Sequence, residues 1–493
     1  MTRPAPAASA AAGEPARSSR LSRAPDRSPV FSIFVNQVRR LAGSWRYHAT
    51  AWLLIATMMA AAVTAGASYR STALEQAAVM DSHRRELAGA TVDQLAEMLQ
   101  PAIKPPLRLT LLVNQGQVST PDVYSQALSP WIPPEIHRTQ AGNHLLPIQE
   151  PIDWMFVIRV VLPLCAFILG YDAVCGERRS GTLKLLLSYP VPRSKVLAGR
   201  FLALWSCLAA PLLLGALLSL LVAIGPSGLP QSADDVARVG LVVLLGLWST
   251  AFFVLLALLV SALSREDSTS LSLLAWLWVT AAIAVPAMSG LLAHRLLPVA
   301  SDGEVAQRLE IVAQRIAHEY AGRAGNWRKR EWARADGFAW ERVSAQVEER
   351  RLALQDEIRR EALARKLAQA ELQRQIAAVS PAPLAEVLAE LLTGSGPQRD
   401  ESFIAQARAF RATLAERVRE LDAVDSESPH ILFFSGYLSQ RPVAVGALPG
   451  FVFHERPIGL GFAAARPYLT AFALETVAVV LACLLAFAKQ DTG

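Results

Sequence analysis

The sequence predicts an all-α integral membrane protein, with six transmembrane helices and a large extracytoplasmic helical domain between the last two spans. Three observations predict it. Of the 493 residues, 52% are hydrophobic and only 18% are charged, whereas a soluble domain carries about 25% charged residues. Six runs reach the roughly 20 apolar residues that a membrane helix needs: Thr50–Ala67, Trp154–Val174, Phe201–Ile224, Val239–Leu263, Leu271–Ala293 and Pro467–Ala488. The charges, finally, are concentrated: residues 294–466 hold 24 basic and 23 acidic side chains, more than half of those in the chain.

Residues 1–29 are mostly Ala, Pro, Arg and Ser with no apolar core, which predicts a disordered tail rather than a signal peptide or a domain. Residues 30–67 follow as an amphipathic helix and the first span. Phe31, Phe34, Val35, Val38, Leu41 and Trp45 fall on one face, with Arg39, Arg40 and Arg46 off it. Residues 68–153 form an extracytoplasmic segment. It opens as a helix over about 71–99 and turns into a proline-punctuated lid carrying Pro101, Pro105, Pro106, Pro121 and Pro130.

Spans two to five occupy 154–293, with a basic loop at 176–200. The domain at 294–466 reads as helices near Asp302–Arg323, Gly337–Val379, Pro383–Leu392 and Glu401–Leu421. Ser380-Pro381 interrupts them, because the residue before proline disfavours helix. Their near-balanced charge and apolar stripes predict a unit that folds alone. Residues 467–493 are the sixth span and a short tail.

Orientation follows from Lys and Arg in the short connections. The 176–200 loop holds Arg178, Arg179, Lys184, Arg193, Lys195 and Arg200 against Glu177, while residues 225–238 hold Arg238 beside Asp234 and Asp235. With the basic N-terminal arm, this predicts both termini and the 176–200 loop in the cytosol.

The net charge of +6 is supplied by eight arginines in the first 49 residues, opposed by Glu14 and Asp26. No compact basic face remains for nucleic acid. Cys165, Cys175, Cys207 and Cys483 lie in or beside apolar runs, without C-x-x-C or zinc spacing, so neither a disulfide framework nor a metal site is expected. No G-x-x-x-x-G-K-[ST] string occurs; a phosphate-cradling loop is not expected on this chain, nor is catalysis or a bound cofactor.

The most informative stretch is 176–200. Gly181–Ser188 reads as a short amphipathic helix whose Leu183, Leu186 and Leu187 form one apolar face at i, i+3, i+4 spacing, followed by a turn at Pro190 and Pro192. Such a helix lies in the membrane interface or inserts into a groove on a partner. A carboxylate at Glu177 favours the positive end of the helix or pairs with a base, worth about 0.3–1 kcal/mol at an exposed site. Three further charges mark the second span. Arg159 lies about a turn and a half inside it, and Asp153 and Asp172 stand at its ends. Intramembrane charge is functional by default, yet Arg159 is near enough to the outer edge to snorkel. A pathway role and a structural pair both stay open.

Glu177, Gly181-Thr182-Leu183, Leu186-Leu187-Ser188, Pro190 and Arg193 resemble the E-x-x-x-G-T-L-x-x-L-L-S-x-P-x-x-R loop of ABC-2-type permeases. The likeness is strongest to the branch that includes permeases for multi-copper enzyme maturation and gliding motility. Asp153, Leu162-Pro163-Leu164, Gly170-Tyr171-Asp172-Ala173, Ser261-Ala262-Leu263, Pro286 and Leu392-Thr393-Gly394-Ser395-Gly396 are similar to the same branch. Arg200 stands where many relatives carry Lys, which keeps the charge.

The resemblance covers about 31–489. It implies a permease subunit, generally of an exporter, in a bacterial inner membrane. It further implies a separate ATP-binding subunit carrying ATP and Mg, coupled through Glu177, Gly181, Thr182, Leu183, Leu186, Leu187, Pro190 and Arg193, and a second permease copy or paralogue. The 294–466 domain offers a surface for an extracytoplasmic partner. The alternatives are a secondary transporter using Asp153, Arg159 and Asp172, and a non-transporting ABC-type assembly that signals through the outer domain.

Overall fold

A computed structural model describes residues 29–114, 122–137, 152–182, 188, 191–227, 232–327, 339–432 and 435–489. Among them, six helices are long and apolar enough to cross a membrane: Trp45–Leu87, Trp154–Arg179, Arg193–Ala223, Ala233–Leu263, Asp267–Leu296 and Ile458–Ala488. They coincide with the six apolar runs. The first has 43 residues. At 1.5 Å per residue it is about 65 Å long, about twice the hydrocarbon thickness of a bilayer, so it projects well beyond the membrane. Ser44 caps it by accepting a hydrogen bond from the Tyr47 amide at 3.3 Å.

The second span is the axis of the bundle. In its most apolar window 72% of residues are buried, against 11% in the fifth span and 17% in the sixth. Leu54 and Met58 of the first span, Leu204 and Leu208 of the third, Phe253 and Leu258 of the fourth and Phe472 and Phe487 of the sixth join it in one apolar cluster. The second and fifth spans share a backbone device. Each carries a five-residue π turn, Val157–Val161 and Thr280–Ala284, that ends two residues before a proline, Pro163 or Pro286. Proline lacks an N–H and crowds the carbonyl four residues back, and the wider turn makes room for it. Trp278 donates its indole N–H to the Val160 carbonyl at 2.9 Å, so a carbonyl of the second span's π turn is satisfied from the fifth span. Both turns border a cavity of about 280 Å³, together with Phe252 and Pro381.

The lid expected from the prolines is present in part. Leu107, Leu109, Leu111, Leu112 and Val113 bury into the bundle's apolar cluster. Around it the structure differs from the helical expectation. The helix stops at Leu87, a short helix Val92–Glu97 follows, and three strands form an antiparallel sheet. β1 (Gln100–Ile103) pairs with β2 (Val123–Gln126), Gln100 opposite Gln126, and β2 pairs with β3 (Glu135–His137), Val123 opposite His137. β1 lies at the sheet edge, the place where a strand tolerates a proline such as Pro101.

The charged region forms a hairpin of helices Asp302–Trp327 and Ala339–Ala377, then helices Pro381–Thr393 and Pro397–Ala423. Pro381 occupies the first turn of its helix, and Gly394 caps the end in the left-handed conformation. These helices do not keep to themselves. Leu384, Leu388 and Leu392 of Pro381–Thr393 belong to the same apolar cluster as the spans. Leu414 and Val418 of Pro397–Ala423 pack with Leu87, Val92 and Leu95, and Phe403 and Ala407 pack with Ala102 and Tyr124. Residues 300–430 therefore lack many of their own packing partners. The two segments between spans interleave, so the region expected to fold alone shares apolar contacts with residues 87–128 and with the spans.

Candidate functional site: the two ends of the second span

One end of the second span carries the basic loop. The connector helix Pro29–Ala42 lies across the start of the third span. Its Gln37 and Leu41 are buried, while Phe31 and Trp45 of the expected apolar face are exposed. Gly199 makes the crossing possible, since a Cβ there would sit 2.9 Å from Ile33 and 3.1 Å from the Val30 carbonyl. Ser261 Oγ accepts from the amides of Val174 and Cys175, at 3.0 and 3.2 Å. That supports the chain where the second span's helix breaks before the short helix Cys175–Arg179. Gly181, at φ +73°, follows this helix in the left-handed region, and Thr182 Oγ1 donates to the Glu177 carbonyl at 3.3 Å.

The charges at this end reach outward. Asp172 pairs with Arg46 of the first span at 2.8 Å, and Arg46 also stacks over Tyr171. Glu177 accepts from Arg40 of the connector helix at 3.3 Å and from Arg200 of the third span. Arg200 is buried and lies over the Phe487 ring of the sixth span. Arg178 donates to the carbonyls of Ala262 and Ser264 at the end of the fourth span, at 3.0 and 3.1 Å. Arg179 pairs with Asp267 at the start of the fifth span at 3.0 Å. Arg193 donates to the Ala488 carbonyl at the end of the sixth at 2.6 Å. Asp172, Glu177, Arg178, Arg179 and Arg193 thus bond to elements of all the other spans.

Glu177 is not the exposed helix-end carboxylate that its position implied. Its side chain is 12% exposed and that of Arg200 is 1%. Removing one partner of a buried pair costs about 3–5 kcal/mol, well above the exposed-site figure. Leu183, Leu186, Leu187 and Pro190 lie outside the described residues.

The other end of the second span is held differently. Asp153 is its N-cap: one carboxylate oxygen accepts from the Phe156 amide and the other from the Asn114 amide, each at 2.7 Å. Burial pushes this carboxyl up to about 7, although both amides and Arg159 pull it down. Arg159 pairs with Glu386 at 3.2 Å. Glu386 belongs to the apolar helix Pro381–Thr393, and so does Glu390, which pairs with Arg374. Arg374 also reaches Glu371 at 3.2 Å, and Tyr468 of the sixth span donates to Glu371 at 2.9 Å. Arg238 of the fourth span donates to the carbonyls of Thr393 and Arg456.

The structure therefore brings Asp153 and Arg159 to one end and Asp172 to the other, each with partners. Sequence reasoning missed Glu386, Glu390, Arg40 and Arg46 as partners. A usable signal was present: two carboxylates four apart on an otherwise apolar helix, opposite an intramembrane arginine.

A family model described as ABC-2 family transporter protein matches residues 31–492. Over 55 residues the chain is 47% identical to the probable ABC transporter permease protein NosY of Pseudomonas aeruginosa. It is 46% identical over 55 residues to the protein of that name from Stutzerimonas stutzeri. Each match takes in 11% of this chain and spans only 20% of the relative's length. With a family match that runs almost end to end over six apolar helices, the chain belongs to the ABC-2 family of transporter proteins.

Proposed function

We propose that this chain is the membrane permease subunit of an ABC exporter in a bacterial inner membrane, driven by a separate ATP-binding subunit that docks on residues 176–193. The observation that supports this reading most is the outward bonding of residues 172–193. A force applied there is delivered through Arg46, Arg200, Ala262, Asp267 and Ala488 to every other span. Leu183, Leu186 and Leu187 supply the apolar docking face that their spacing predicts, and Gly181, in the left-handed region, lets the chain turn into it. ATP and Mg act on the partner; this chain transmits the motion. A second copy or paralogue completes the membrane part, and the 294–466 region offers a surface to an extracytoplasmic partner.

The excess of Lys and Arg supports a cytosolic position for the 176–200 loop and both termini. Single cysteines at Ser188 and Ala405, both exposed, test this with a membrane-impermeant thiol reagent. The four native cysteines are buried and can remain. Labelling from opposite sides is expected; labelling of both from outside contradicts the orientation and the docking site together. For the function, the full chain is co-expressed with its ATPase. Leu186→Asp should abolish co-purification or uncouple hydrolysis, with all six spans inserted. Unchanged co-purification and coupled activity in Leu186→Asp would overturn the reading.

The secondary-transporter alternative draws no support from the site, because Asp153 caps a helix and Arg159 and Asp172 are paired. Substrate-stimulated hydrolysis separates an exporter from a signalling assembly.

A further inference from the structure

Helices Ala339–Ala377 and Pro397–Ala423 face each other across a cavity of about 590 Å³. Six arginines line it: Arg342, Arg359 and Arg360 from the first helix, and Arg408, Arg411 and Arg419 from the second. Among the described residues, two carboxylates line it with them, Glu349 and Asp356. Asp356 is already engaged, accepting from Arg360 Nε at 2.8 Å and Nη2 at 2.6 Å and from Arg408 Nη2 at 3.4 Å. Arg411 is turned to the carbonyls of Ala127 and Leu128, at 3.1 and 3.2 Å. Nη1 of Arg359 and Nε of Arg408 are shielded from solvent and make no hydrogen bond.

Gathering guanidinium groups around one space is unfavourable, because like charges repel most strongly where water is displaced. A resident anion reverses the sign. Leu128, Ile132, Leu352, Ala415 and Leu432 give the wall an apolar stretch, beside the polar side chains of Gln126, Gln346 and His430. The volume falls within the roughly 300–1,000 Å³ of small-molecule sites, and arginine's planar fork matches phosphate and carboxylate oxygens in pairs. From these features we propose that the cavity is a binding site for an oxyanion, a phosphate or carboxylate, carried on an apolar body. The assignment does not rest on the transport reading, since none of the arginines lies in a candidate span. The helix Ala339–Ala377 runs straight to the Ser380-Pro381 break and the helix packed among the spans, so an occupant here touches an element continuous with the membrane bundle.

The test uses the full chain in phosphatidylcholine nanodiscs and 1-naphthyl phosphate as probe, with binding followed by equilibrium dialysis. Saturable binding that weakens with added salt is expected. Arg359→Gln and Arg419→Glu should each weaken it by about tenfold or more; Arg419 is exposed, so its variant keeps the fold. Arg315→Gln, on a helix that does not line the cavity, should leave it unchanged. Inorganic phosphate should compete at lower affinity. Phosphatidylglycerol in the nanodisc separates the sources: competition assigns the ligand to a lipid headgroup, and its absence to a soluble anion. Binding that is undetectable, unchanged in both arginine variants, or matched by the uncharged naphthyl glucoside would overturn the proposal. Inorganic phosphate binding as tightly as the ester would overturn its apolar half.

Discussion

The two ends of the second span solve opposite problems with the same residue types. At the loop end the charged groups are spread out, and each reaches a different element: Asp172 the first span, Glu177 the connector and third span, Arg179 the fifth. At the domain end they converge, with Arg159, Glu386, Glu390 and Arg374 gathered around one apolar helix that is itself packed among the spans. Spread bonds let a small element pull on many others. Converged and buried bonds fix one helix in place. Burial of charge is costly unless it is paired, and a pair broken on one side costs more than the intact pair contributes, so the converged end resists change. On the proposed reading, the spread end is where motion enters the bundle and the converged end is where it is resisted.

The largest effect is expected at the converged end. Glu386→Leu removes the carboxylate opposite Arg159, whose side chain is 6% exposed, and should lower stability by about 3–5 kcal/mol. Thermal unfolding in detergent measures it. The double variant Arg159→Met with Glu386→Leu replaces the pair by apolar groups and should recover most of the loss. If the double variant is as unstable as the single one, the pair is not the cause.

Glu177→Ala comes next, at about 3 kcal/mol, because Arg200 is left buried beside an unoccupied partner position. The same melt checks it, and a loss below about 1 kcal/mol would show that Glu177 does not hold Arg200 as a buried pair. Gly181→Ala should cost about 1–2 kcal/mol for a side chain in the left-handed region, read as a lower unfolding midpoint. Asp172→Asn is the smallest. Arg46 and Asp172 are 29% and 20% exposed, and a solvated pair contributes about 0–1 kcal/mol. Its melting curve should nearly overlay the parent's.

The spans and the Ser380-Pro381 break were legible in the sequence because each rests on a local rule: apolar length and proline geometry. The small sheet was not, since strands of three or four residues bounded by prolines carry too little alternation to be seen. The arginine-lined cavity beside Ala339–Ala377 was not legible either, because periodicity does not say what lies opposite a charged face. Helix Pro381–Thr393 read as part of an outer domain because its neighbours in sequence are polar; its position among the spans rests on contacts with residues 150–240 positions away, such as Arg159 and Arg238. Glu177 was found by motif, but its partner Arg200 became visible only when the short helix and third span met.

The central claim is that motion enters through residues 172–193 and spreads through Glu177. Spin labels at Ser188 and Ala405 in the full complex with its ATPase report it as a distance, with and without ATP, in the parent and in Glu177→Gln. Nucleotide should shift the distance distribution in the parent, and Glu177→Gln should keep the ATPase bound while losing most of that shift. A parent distance that ATP does not change, or an undiminished shift in Glu177→Gln, would contradict the account.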